Sequence, residues 1–234
     1  MMETRIPLIR PFYESPLSGP EIEARSFAII DQEAPEHRFR PEEWQVVRRM
    51  IHTVGDFGIM EDVRFSPEAI IEAIKALRRG SPIYCDSNMI RSGLSLARLR
   101  AVCPDYNPEK IICHVADKEV AQEAAEKGWP RSLLAVRKAR PLLDGAIVVF
   151  GNAPVALLEL NRMIMEEALR PALVVAMPVG FVHVLESKEE LMALDVPYIA
   201  LTGRRGGSPL AVSVIHALCG LAEAEKLVLS SEKN

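Results

Sequence analysis

Residues 146–154 read AIVVFGNAP: an unbroken apolar run, Ala146–Phe150, closed by Gly151-Asn152-Ala153-Pro154. A continuous apolar run without alternation describes a strand covered on both faces. The turn after it joins a glycine to a proline suited to the first position of a helix. Strand, tight turn and helix in that order open a βαβ unit. Four more apolar runs repeat the theme: Pro82–Cys85, Lys110–Val115, Ala172–Met177 and Tyr198–Leu201. Helical periodicity fills the intervals, at about 87–100, 117–139, 154–169, 186–194 and 209–224. The expectation is an α/β fold with a doubly wound, mostly parallel five-stranded sheet, three-layer α/β/α, and right-handed crossovers.

Upstream of these runs the texture is helical. Ser18, Pro20 and Glu21 form a capping signature for a helix reaching Glu33. A second helix opens at Pro41, with Glu42 and Glu43 in its positive first turn. Trp44, Val47, Ile51 and Val54 mark its inner face, and it ends near Gly55. Ser66-Pro67-Glu68 opens a third, with Ile70, Ile71, Ile74 and Leu77 inward and Gly80 past its end. This region has no strand set of its own. The chain therefore reads as one domain, 1–234: a helical extension over about 18–80, a βα sheet region over about 81–225, and a short polar C-terminal tail.

The 234 residues are 49% hydrophobic and 26% charged, with a net charge of −4. That composition is ordinary for a globular chain, and its length needs no disulfide or metal staple. Net acidity without a Lys/Arg block argues against a general nucleic-acid binder. No apolar run reaches the ~18 residues that cross a bilayer, and no secretory h-region opens the chain. Cys85, Cys103, Cys113 and Cys219 are scattered without a CxxC pair, which reads as reduced cytoplasmic thiols and no metal site.

Ligands of an open parallel sheet sit beyond the carboxyl ends of its strands. The segments there are Asp86-Ser87-Asn88, His114–Asp117, Gly151–Pro154, Pro178–Phe181 and Thr202–Ser208. Glycines let backbone N–H groups approach a ligand, and helix N-termini favour anions. In Gly203-Arg204-Arg205-Gly206-Gly207-Ser208, two arginines stand between glycines. They read either as a clamp for anions or as solvated side chains of a plain turn. GxGxxG, GxxxxGK[ST] and GxSxG are all absent. Of five histidines, His37 reads as solvated and His216 as structural. His114 and His183 read equally as ligand-edge or packed residues. His52 follows Arg48 and Arg49 by one helical turn, and on spacing alone it is an exposed helix histidine or an acid–base group. The residues define an α/β protein for an anionic small molecule, without fixing a reaction.

Seven segments together resemble the precorrin-8X methylmutase family of corrin biosynthesis: Ser26–Ile30, Arg49–His52, Pro82–Asp86, Gly151–Pro154, Met177–Val182, Glu186–Lys188 and Gly203–Ser208. They occur in the family's order between about residues 20 and 220. The resemblance implies an isomerase that moves a methyl group between adjacent carbons of one ring of a precorrin macrocycle. It acts on precorrin-8X or cobalt-precorrin-8 and gives hydrogenobyrinate or cobyrinate. It implies a suprafacial shift needing no redox cofactor, no external methyl donor and no protein-bound metal. His52 then takes the family's acid–base role, protonating the macrocycle. Ser26, Asp86, Arg131, Gly151, Asn152, Gly180, Arg204, Gly206, Gly207 and Ser208 take its substrate-binding positions. The resemblance also implies a homodimer with sites near the subunit interface.

The chain departs from the family pattern at Val155, where Thr is common, and Arg205 falls on a variable position. Asn88 and His183 also differ from the residues expected there. Three other readings compete with an isomerase, one of them a structural α/β subunit with no ligand, whose strand-end loops would tolerate alanine. A corrinoid carrier would need no acid at the ring, and a nucleotide-dependent oxidoreductase would lack its glycine fingerprint.

Overall fold

The computed structural model describes residues 7–231, and the chain divides into two compact units, Met1–His37 and Arg38–Asn234. The first holds α1 (Arg10–Glu14) and α2 (Gly19–Glu33). Ser18 caps α2 reciprocally: its hydroxyl accepts the Glu21 N–H at 3.4 Å, and its own N–H donates to the Glu21 carboxylate at 2.7 Å.

The second unit opens with α3 (Pro41–Val54), stopped by Gly55 in the left-handed conformation. Then come β1 (Val63–Phe65), α4 (Ala69–Arg78), β2 (Ile83–Cys85), α5 (Asn88–Gly93) and α6 (Leu96–Val102). After these follow β3 (Ile111–Ile112), α7 (Lys118–Lys127), α8 (Arg131–Ala139), β4 (Ile147–Phe150) and α9 (Pro154–Glu166). The chain continues through β5 (Leu173–Ala176), α10 (Val184–Met192), β6 (Tyr198–Leu201) and α11 (Ser208–Ser231).

The strands form one sheet in the order β1-β6-β5-β4-β2-β3. β2 to β6 pair in parallel, and β1 runs antiparallel along β6, with Val63 opposite Leu201. Helices cover both faces. α8, α9 and α10 pack successively on one side, while α11 touches α3, α4, α5 and α6 on the other. Every residue of β2, β4 and β5 is buried, as continuous apolar runs require. On the α9 face Tyr84, Val148, Phe150, Val174 and Ala200 pack with Leu157, Leu160 and Leu191.

Several expectations change. The sheet has six strands, because Val63-Arg64-Phe65 pairs at the edge. Its exposed Arg64 breaks the apolar run that marks the other five. The run at 110–115 shrinks to a two-residue strand. The helical stretch at 87–100 splits around Leu94-Ser95, and that at 117–139 around Gly128-Trp129-Pro130. The third helix starts at Ala69, and Ile71 faces outward at 55% exposure. The buried stripe of α3 is Val46, Val47, Met50 and Ile51, with Val54 exposed. The last helix continues to Ser231 through most of the expected polar tail, whose final three residues lie outside the described ones. No helix among the described residues is long and apolar enough to cross a membrane.

Candidate functional site

The parallel strands run in the order β3-β2-β4-β5-β6, so the winding reverses between β2 and β4. A crevice is expected outside the carboxyl ends of strands at such a reversal. Asp86 stands there, 1% exposed, at the end of β2. Its carboxylate accepts the N–H groups of Gly151 (3.1 Å), Asn152 (2.8 Å) and Ala153 (2.7 Å). Burial raises this carboxyl above its ordinary value, against the pull of those donors. Asp86 therefore fixes the turn after β4, and its oxygens face backbone amides.

The turn after β4 in turn lies against the loop after β6. A Cβ on Gly151 would stand 2.8 Å from the Ser208 Cα and 2.9 Å from its nitrogen. A Cβ on Gly206 would overlap the Met177 and Pro178 carbonyl oxygens. The Gly207 N–H donates to the Met177 oxygen at 2.8 Å, and the Gly180 N–H to the Arg204 oxygen at 3.3 Å. Ser87 and Ser208 share a hydroxyl hydrogen bond of 3.0 Å, while Ser87 also caps α5. Asp86, Gly151, Asn152, Gly180, Gly206, Gly207 and Ser208, predicted separately, thus meet in one knot of strand-end loops.

The paired arginines divide. The Arg205 guanidinium donates to Asp56 (2.8 Å), the Gly58 oxygen (2.7 Å) and Asp62 (2.7 Å), which fastens the loop to the turn before β1. Those hydrogen bonds, with Asp62 the strongest influence, raise its pKa further. Arg204 is exposed, its guanidinium carbon 5.7 Å above the Phe181 ring.

Beside this knot a cleft of about 350 Å³ opens between α3, α5 and α11. Met89, Gly93, Pro209 and Val212 give it an apolar wall, and Arg49, Thr53, Ser208, Ser213 and His216 supply its polar groups. Arg49 and Thr53 are four apart on α3; His52 lies between them in sequence and is exposed, but is not among the residues that line the cleft. Arg48 instead donates to Gln45 at 2.5 Å. The His216 Nε2 accepts the Ser95 N–H at 3.0 Å, so it lines the cleft while holding the start of α6.

The remaining candidates of this unit are not among the residues that line the cleft. Arg131 is exposed at the first position of α8. Ser26 is half-buried on α2, in the other unit. His114 Nδ1 is 2.8 Å from Asp117, which Lys138 also binds. His183 is exposed and left-handed (φ 59°), just before α10. Among the described residues no three His, Cys, Asp or Glu side chains group to hold a metal ion. Sequence reading assigned neither Thr53 nor His216 to the site, and gave Arg49 only as the start of the Arg49–His52 segment. Only the spacing of Arg49 and Thr53, one turn apart and flanking His52, signalled a shared surface.

The geometry defines a doubly wound α/β protein whose cleft combines an apolar wall, a cationic edge and interlocked glycine loops. The precorrin-8X methylmutase family profile matches residues 21–221. A cobalt-precorrin-8 methylmutase of Leptospira interrogans is 43% identical, over 92% of this chain and 96% of that protein. A precorrin-8X methylmutase of Sinorhizobium is 38% identical, over 89% and 97%. The crystal structure of the precorrin-8x methyl mutase of Thermus thermophilus superposes with a TM-score of 0.81 at 46% identity, covering 88% of this chain and 98% of that one. The chain belongs to the precorrin-8X methylmutase family and is an isomerase of corrin biosynthesis.

Proposed function

We propose that the protein shifts a methyl group between adjacent ring carbons of precorrin-8X or cobalt-precorrin-8, giving hydrogenobyrinate or cobyrinate. The observation that carries this reading is the family match over residues 21–221, the stretch that contains the whole knot of strand-end loops and the cleft. A precorrin is a flat apolar ring edged with carboxylates, and an apolar wall beside arginine and backbone N–H groups suits both parts of it.

His52 is the general acid in this reading. It gives a proton to the macrocycle near the migrating methyl, which draws electron density from the conjugated system and lowers the migration barrier. The proton returns to the imidazole once the product forms, so the isomerisation is balanced without a co-reactant. A substrate carboxylate at Arg49, one turn before His52 and lining the cleft, would offset that cation and favour the imidazolium. Arg204 and Arg131 take rim carboxylates, Gly151, Asn152, Gly180, Gly206, Gly207 and Ser208 line the ring edge, and Asp86 holds the turn after β4 in place. Ser26 is a further binding residue in this reading. The enzyme works in the cytoplasm, a reading supported by four free, buried cysteines. The family resemblance supports a homodimer.

The test is direct. The purified protein is incubated with precorrin-8X and, separately, with cobalt-precorrin-8, and the visible spectrum is followed. Migration alters the conjugation, so one of the two spectra should shift. His52→Ala should lower kcat by about 10²–10⁴-fold with KM within about threefold. An unchanged spectrum with both substrates, or an unimpaired His52→Ala enzyme, would refute the reading.

A further inference from the structure

Lys188 sits in the middle of α10 and is 1% exposed. Its ammonium makes no ion pair among the described residues. It donates instead to two main-chain oxygens, Gly203 and Arg205, each at 2.9 Å. Burial lowers its pKa to about 8, with Asp62 acting in the opposite direction. A cation kept out of water without a paired anion is costly, and an apolar side chain of similar volume is commonly as stable or more so. The charge at this position therefore has a purpose other than filling the core.

That purpose is visible in the loop. Three successive carbonyls have partners: those of Gly203 and Arg205 point to buried Lys188, and that of Arg204 to the Gly180 N–H. In a planar trans peptide the N–H points opposite to the carbonyl that precedes it. The amides of Arg204, Arg205 and Gly206 are thereby turned away from the carbonyls' partners, and none of them donates to the protein among the described residues. Gly203 (φ 70°) and Gly207 (φ 126°) make the bends that bracket the run. The Arg204 and Gly206 amides thus face away from buried Lys188, free to donate to an anion.

We propose that Lys188 is a positioning residue: it holds the backbone of residues 203–206 with the Arg204 and Gly206 amides turned away from it, so the loop meets a macrocycle carboxylate already in binding geometry. This rests on the reading of the loop as part of the precorrin site.

Lys188→Met, in the full chain, keeps length and apolar volume but removes the charge and the donors. Two measurements decide the matter. Amide exchange is followed at Gly180 and Gly207, whose N–H groups donate to Arg204 and Met177. It should quicken by at least about tenfold while β4 and β5 keep their protection. Steady-state kinetics with the precorrin that proves to be substrate should show KM raised by about tenfold and kcat within about twofold. A rim contact is made equally in the ground and transition states. Lys188→Arg, which keeps the charge and two donors, should restore KM to within about threefold. Unchanged exchange at Gly180 and Gly207 overturns the proposal. So does exchange that quickens across the whole sheet, a loss of kcat at constant KM, an Arg variant as poor as the Met variant, or a Met variant that does not fold. If the wild-type protein converts neither precorrin, the assignment of the substrate falls, and the exchange measurement alone decides the role of Lys188.

Discussion

A methyl group on Gly206 would have to occupy space already held by two carbonyl oxygens, those of Met177 and Pro178. Backbone atoms cannot swing aside as a side chain can, so the loop itself must shift. Gly206→Ala should cost about 1–3 kcal/mol, and thermal circular dichroism should show the melting temperature fall by about 2–10 °C. Gly19, with nothing within 4 Å of a built Cβ and an ordinary φ, is the control position and should tolerate alanine. Both glycine clusters were legible in the sequence, because glycine between a strand and a helix advertises a close approach. The division between Arg204 and Arg205 was not. Adjacent arginines look alike until the turn at 56–62 is brought beside one of them. Lys188 was legible only as part of the Glu186–Lys188 segment, and only the loop folded over it puts it out of reach of water.

Glu159 on α9 is a case of one side chain tying helices together. It is 6% exposed and accepts hydrogen bonds from Arg137 of α8 at 2.7 Å and from Arg162 of its own helix at 2.7 Å. Burial pushes its carboxyl up, but the two arginines outweigh this and hold it below the usual 4.5. A depressed carboxylate contributes stability in full above its unfolded pKa, and that contribution is lost as pH falls through the folded value. Wild-type protein should therefore lose stability as pH drops below about 4.5. Glu159→Gln should be less stable near neutrality and show a flatter urea-midpoint profile over that acid range. An equally steep profile in the variant would count against the assignment. The five parallel strands were readable because each is apolar through and through. β1 was not, since three residues with a charge in the centre carry no periodic signal. The split helices had left a trace in Gly93 and in Gly128-Trp129-Pro130, but continuing helical periodicity on either side masked it.

Taken as one chain, the protein carries a net charge of −4 and is proposed to bind a polycarboxylate. The attraction is then local, from Arg49, Arg204 and oriented amides, and not from a general field. Ligand linkage follows from this. Hydrogenobyrinate or cobyrinate at about 100 times its dissociation constant should stabilise the native state by about 2.7 kcal/mol. In a chain of this size that corresponds to a rise of about 5–10 °C in melting temperature. Calorimetry checks it, and His52→Ala should show the same rise, because an acid acting at the reacting ring contributes little to product binding.

The bonds that knit the strand-end loops join distant parts of the chain: Asp86 to Gly151 across 65 positions and Ser87 to Ser208 across 121. Closing such long loops is entropically expensive, and contacts of this separation are slow to form. During synthesis on the ribosome, the turn after β4 can dock on Asp86 while the segment that will wall it in at Ser208 is still untranslated. At that point the chain also lacks Pro209, Val212, Ser213 and His216, the cleft residues that α11 supplies. A cleft completed by the last helix of the chain should open when α11 loosens, even while the sheet keeps its strands paired.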